Sequence, residues 1–137
     1  MIVRDIYIDK YDWCARVYFA ISRYQIEDVA HSLRMISCPR HIYDQAIRQM
    51  VRGNLNTGFT YSNKKRKRSV MLIGKADSGE EFLNSFTHEQ RHLADDIATE
   101  FGMHMSGEEV AYLTGDIASQ LADIVCHYSC DRCRAHG

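Results

Sequence analysis

The chain has 137 residues, 45% of them hydrophobic, enough for a single domain over 1–137 with a real core. Its 17 Lys and Arg against 18 Asp and Glu give a net charge of −1, which excludes a global field that would draw the whole chain to nucleic acid or a membrane. No apolar run approaches the roughly 18 residues of a membrane span, and Met1–Ile6 lacks the apolar core of a signal peptide, so a cytoplasmic protein is expected.

Taken in chain order, residues 2–10 alternate imperfectly between apolar and polar and predict a first strand. Tyr11-Asp12-Trp13 reads as a turn, and Cys14–Ile21 as a second strand with Val17, Phe19 and Ile21 on one side. Ile26, Val29, Ala30, Leu33 and Ile36 fall at helical spacing. Pro39 suits the first turn of another helix, which runs through Ile42, Tyr43, Ala46, Ile47 and Met50 and ends near Gly53. Gly58–Ser62 reads as a short strand that pairs antiparallel with a later one, Ser69–Gly74. Between them lie five consecutive cations, Lys64–Arg68. They predict a solvated hairpin tip that discourages edge pairing; contact with nucleic acid through 64–68 is the alternative.

Lys75–Gly79 follows as a loop, and Ser78 or Asp77 caps a helix with Glu80 and Glu81 in its first turn, where negative charge suits the helix dipole. Phe82, Leu83, Phe86, Leu93, Ile97 and Phe101 repeat at the helical period, and Gly102 suits the position after the last turn. A second helix starts near Ser106. Its Ser106-x-x-Glu109 pattern predicts a capping box. The order ββααββαα makes this an α+β domain, with a short, mostly antiparallel sheet packed on the helix that follows Ser69–Gly74.

That helix holds His88-Glu89-Gln90-Arg91-His92. Two histidines four apart project from one helix face, and both imidazoles can bind one Zn²⁺ at about 2.0–2.1 Å. Glu89, one residue after the first histidine, is placed to take a proton from a zinc-bound water and return it to a leaving amine. A catalytic zinc needs a third protein ligand. A histidine six positions after His92 would supply it in the metzincin pattern, but Ala98 stands there. Downstream, the capping box occupies Glu109 and leaves Glu108 free. Glu108 also heads a stripe of small residues (Ala111, Gly115, Ala118, Ala122) that would let two helices approach closely. Glu108 is the expected third ligand, with Glu109 and His104 as the alternatives.

His88-Glu89-x-x-His92 followed by Glu108-x-x-Ala111 resembles the zincin metallopeptidases of the glutamate-ligand type, over about residues 69–125. The resemblance implies a zinc cofactor on His88, His92 and Glu108, Glu89 as general base, and a peptide or protein substrate. It also implies a sheet edge beside the metal that takes the substrate backbone as an added strand, for which Ser69–Gly74 is the expected segment. Some relatives carry an Asp four residues after the glutamate ligand. Here Tyr112 stands there, so Asp96 or Asp116 is left to orient a ligand imidazole. Tyr112, His104 and His127 compete as oxyanion donor.

A non-catalytic binding or regulatory module on the same frame, with zinc as a structural ion, is the alternative function. Five cysteines, an odd number, predict free thiols. Cys130-x-x-Cys133 has no matching second pair, so the tail from Cys126 reads as a frayed helix end. No feature of the sequence sets an oligomeric state.

Overall fold

A computed structural model describes residues 2–53 and 58–136. Two strands open the chain, β1 (Ile2–Ile8) and β2 (Trp13–Ile21). Two helices follow, α1 (Ile26–Met35) and α2 (Arg40–Arg52), then β3 (Phe59–Asn63) and β4 (Arg68–Gly74). The chain closes with α3 (Gly79–Glu100), α4 (Glu108–Gln120), α5 (Ala122–Ser129) and α6 (Asp131–His136). This is an α+β domain with one four-stranded sheet in the order β1-β2-β4-β3. Hairpin pairs β1–β2 and β3–β4 are antiparallel, and β2 joins β4 in parallel through the α1–α2 crossover.

Strand alternation divides the core in two. Trp13, Ala15, Val17, Phe19, Met71 and Ile73 face α3, α4 and α5, while Tyr18, Val70 and Leu72 face α1 and α2. With both faces covered, the central strand β4 is buried from Ser69 through Gly74. That explains its continuous apolar run. It also corrects the edge assignment: Ser69–Gly74 lies between β2 and β3, and the strand at the edge is β3. The opposite edge, β1, is partly closed by Gln120, whose amide donates to Tyr7 O at 2.9 Å and accepts from Tyr7 N at 3.3 Å.

The turn expected at Tyr11-Asp12-Trp13 lies earlier, over 9–12. Asp9–Tyr11 forms one 3₁₀ turn, Asp12 takes the left-handed conformation (φ 51°), and Trp13 is already the first residue of β2. Trp13 is fully buried, and its indole N–H donates to Ser69 Oγ at 2.8 Å. A large apolar ring with one satisfied donor outweighs its neighbours' turn propensity.

Helix ends follow local chemistry. Ser78 caps α3 by accepting from Glu81 N–H at 3.1 Å, and Gly102 takes φ +66° just past its end. Pro39 is the residue before α2 rather than inside its first turn. The expected capping box at Ser106 does not form. Gly107 precedes α4, Ser106 Oγ pairs with His104 Nδ1 at 2.9 Å, and Glu109 accepts from Tyr11 OH at 3.2 Å. The tail is two further helices, α5 and α6, and all five cysteines are free thiols. Among the described residues no helix is long and apolar enough to cross a membrane.

Candidate metal centre

The 22-residue α3 lies along the sheet with Phe82, Phe86, Leu93 and Ile97 in the core. At 3.6 residues per turn, His88, Glu89, His92 and Asp96 share an adjacent face, which looks toward β3. The residues that meet them are Thr60 and Ser62, on one side of β3, and Gly58 just before the strand. Thr60 Oγ1 donates to Glu89 Oε1 at 2.8 Å, and Ser62 Oγ donates to Asp96 Oδ2 at 2.6 Å. Gly58 is held at φ +126°. A Cβ there would collide with Leu72 O and sit 3.0 Å from Glu89 Cγ, so only glycine lets the strand and the Glu89 side chain approach. Gly58→Ala is therefore expected to destabilise the domain by about 1–3 kcal/mol, read as a lower urea midpoint at an unchanged m-value.

A cleft of about 270 Å³ opens at this edge, lined by Gln45 and Gln49 of α2, Gly58–Thr60, and His88, Glu89, His92 and Asp96 of α3. Within it, the two imidazole Nε2 atoms are 3.2 Å apart. The ring planes stand at 81°, so one edge meets the other rather than stacking. Glu89 is 2% exposed, with Oε2 3.8 Å from His88 Nε2. Burial pushes its carboxyl above the ordinary range, offset by the Thr60 hydrogen bond and the nearby imidazoles. Asp96 is likewise raised by burial, against the Ser62 hydrogen bond and the Lys64 ammonium.

Asp96 ends a directed hydrogen-bond chain that crosses the sheet. Trp13 Nε1–H donates to Ser69 Oγ, Ser69 pairs with Ser62 Oγ at 2.7 Å, and Ser62 donates to Asp96. Each hydroxyl donates once and accepts once in that direction, which leaves the carboxylate as final acceptor. Period-two alternation of small polar residues, Gly58-x-Thr60-x-Ser62, is the signal in the sequence that marks this row.

Glu108 is not brought to the histidine pair. It is exposed at the first residue of α4. The face of α4 that packs inward is Val110, Leu113 and Ile117, and Glu108 falls roughly opposite it. Moreover, α4 lies against the flank of α3 that carries Gln90, whose amide donates to Thr114 O at 2.9 Å. That flank is roughly opposite His88 and His92. The small-residue stripe used to favour Glu108 faces outward as well: a Cβ on Gly115 would meet nothing within 4 Å. Glu109 is held by Tyr11, and His104 sits in the exposed α3–α4 connection. Among the described residues no three His, Cys, Asp or Glu side chains group closely enough to hold a metal ion. Neither Tyr112, which is 77% exposed on the outer face of α4, nor His127 on α5 lines the cleft. Asp116 is on α4, away from the pair, and receives a 3.4 Å hydrogen bond from Gln120. Comparison with known proteins finds no match for this chain among protein-family models, curated proteins or solved structures.

Proposed function

We propose that the protein is a zinc-dependent peptide hydrolase, with His88 and His92 holding the ion and Glu89 acting as general base. The observation that carries this reading is the convergence of the two Nε2 atoms at 3.2 Å beside a buried carboxylate. Two nitrogens bound at about 2.05 Å to one tetrahedral ion are separated by roughly 3.3 Å, close to the spacing of the pair. When bound, zinc acidifies a coordinated water and polarises the scissile carbonyl.

The chain's own residues supply the rest. Thr60 fixes one oxygen of Glu89 and leaves the other turned toward the histidines. Burial raises that carboxyl and so makes it a stronger base than an exposed glutamate. It accepts a proton from the attacking water and delivers it to the departing amine. Glu108, on the outward side of α4, is not a ligand in this reading.

Zinc content measured by elemental analysis tests the assignment. The wild-type chain is expected to retain zinc after dialysis and His88→Ala to lose it. Glu108→Ala is expected to keep the wild-type amount. Equal zinc in wild type and His88→Ala removes the proposal. Loss in Glu108→Ala instead makes that glutamate a ligand and requires α4 to turn.

A further inference from the structure

The net charge of −1 conceals a strong separation along the chain. Residues 40–68 carry eight Lys and Arg against Asp44 alone, a net of +7, whereas residues 77–123 carry eleven Asp and Glu against Arg91 alone, a net of −10. The fold gathers the first group on one surface. The outer face of α2, opposite its buried Ala46 and Met50, presents His41, Asp44, Arg48, Val51 and Arg52, with Gln45 and Gln49 on the flank toward the cleft. The basic tip of the β3–β4 hairpin is tied beside the start of α2: Asn63 Nδ2 donates to Ile36 O at 2.9 Å and an Arg66 guanidinium N–H to Met35 O at 3.3 Å. Its turn is closed by Arg66 N–H donating to Asn63 Oδ1 at 3.2 Å. The tip's backbone and Arg66 are thus held against the end of α1, while Lys67 leans over the Phe101 ring, 5.6 Å from its centroid.

The two halves of this surface meet at the cleft. Gln45 and Gln49 line it from α2, and Lys64 acts electrostatically on Asp96 from the hairpin. Of the eight cations, Arg40 alone is ion-paired among the described residues, with Asp44 at 3.4 Å.

We propose that this surface, from the outer face of α2 across the cleft mouth to the 64–68 hairpin, binds the phosphate backbone of nucleic acid. His41 to Arg52 spans about 16 Å of helix, several phosphate spacings long, so the ligand is a repeating anion rather than a single phosphate. His41 and the flanking amides of Gln45 and Gln49 can serve sugars and phosphates, and the one acid on the face, Asp44, is paired with Arg40. Val51 is the one exposed large hydrophobic of α2, and no aromatic anchor of the kind that organises a protein interface stands on its outer face. An acidic polypeptide is the competing polyanion. This inference stands whether or not zinc binds between His88 and His92.

Fluorescence anisotropy of the full chain with labelled 20-nucleotide single-stranded DNA, the matching duplex and a 20-residue polyglutamate tests it. DNA is expected to bind at 50 mM NaCl and to weaken more than about tenfold at 200 mM, as release of counterions from several phosphates requires. Lys65→Glu combined with Arg48→Glu and Arg52→Glu is expected to weaken binding at least about tenfold at 50 mM and to flatten the salt dependence. Lys10→Glu, outside the surface, is expected to leave both unchanged. Should the triple reversal disturb the circular dichroism spectrum, the milder Arg48→Gln with Arg52→Gln carries the same test. The proposal is overturned by no DNA binding at 50 mM, by unchanged affinity in the folded variant, or by polyglutamate binding more tightly than either DNA.

Discussion

Replacing Glu89 with glutamine is expected to leave zinc bound and to lower peptide hydrolysis by about two to four orders of magnitude, the range lost with a general base. Shape and volume are kept, and the amide oxygen still accepts from Thr60, so the cleft should be intact. What disappears is the proton-accepting oxygen turned toward His88. A second consequence separates a catalytic carboxylate from a structural one. Burial raises the Glu89 pKa above its ordinary value, so the ionised form is less favoured in the folded chain than in the unfolded one. The folded state binds that proton more tightly than the unfolded state does. Stability therefore falls as pH rises past the ordinary glutamate pKa, and glutamine removes the penalty. In metal-free protein, Glu89→Gln is expected to melt higher than wild type at pH 7, with the gap narrowing toward pH 4. Full hydrolysis by Glu89→Gln would eliminate the general-base role. A lower melting temperature at pH 7 would show that the carboxylate holds the fold instead.

The parts of the fold that were legible in the sequence are those where one local pattern decides the outcome. A capped, amphipathic stretch from Ser78 to Gly102 is helical whatever surrounds it, and a strict i, i+4 histidine pair on it must share a face. The strand pairing of 59–63 with 68–74 followed from a short basic turn. Readings failed where tertiary packing chooses between equal local options. Small residues on α4 fit a helix contact or a bare surface equally well, and Val110, Leu113 and Ile117 took the contact because they bury more apolar area. That choice rotated Glu108 away from α3. The Ser106–Glu109 box lost to Tyr11, a partner 98 residues distant that no local window contains. Ser69–Gly74 was legible as a strand but not as a central one, because the parallel β2–β4 pairing comes from the α1–α2 crossover. Charge separation was present in the sequence too. The whole-chain sum hid it, and only the placement of α2 beside the hairpin gives it a surface.

Truncation of Trp13 to alanine is expected to cost about 3–5 kcal/mol, the largest stability loss of any variant considered, because a fully buried indole is replaced by a cavity. A domain of this size is stable by only about 5–15 kcal/mol, so the loss removes a large share of it. Trp13→Phe divides that cost into its parts. Phenylalanine keeps most of the apolar contact and deletes the indole N–H, so Ser69 Oγ loses its donor in a buried setting at a cost of about 1–3 kcal/mol. Ser69 still donates onward to Ser62, and Ser62 to Asp96, so the cleft end of the hydrogen-bond chain survives. Trp13→Phe is accordingly expected to lower the urea midpoint while zinc content stays at the wild-type level. Ser62→Ala should do the reverse at the cleft: it removes the donor that holds the Asp96 carboxylate, so zinc retention or turnover should change more than global stability. Chemical denaturation followed by circular dichroism gives the stability of each variant, including those that lack the single tryptophan. A loss below about 1 kcal/mol for Trp13→Ala would show that β2 does not need its first side chain in the core. Disturbed zinc binding in Trp13→Phe would mean that the chain from the core to Asp96 transmits further than its donor geometry implies.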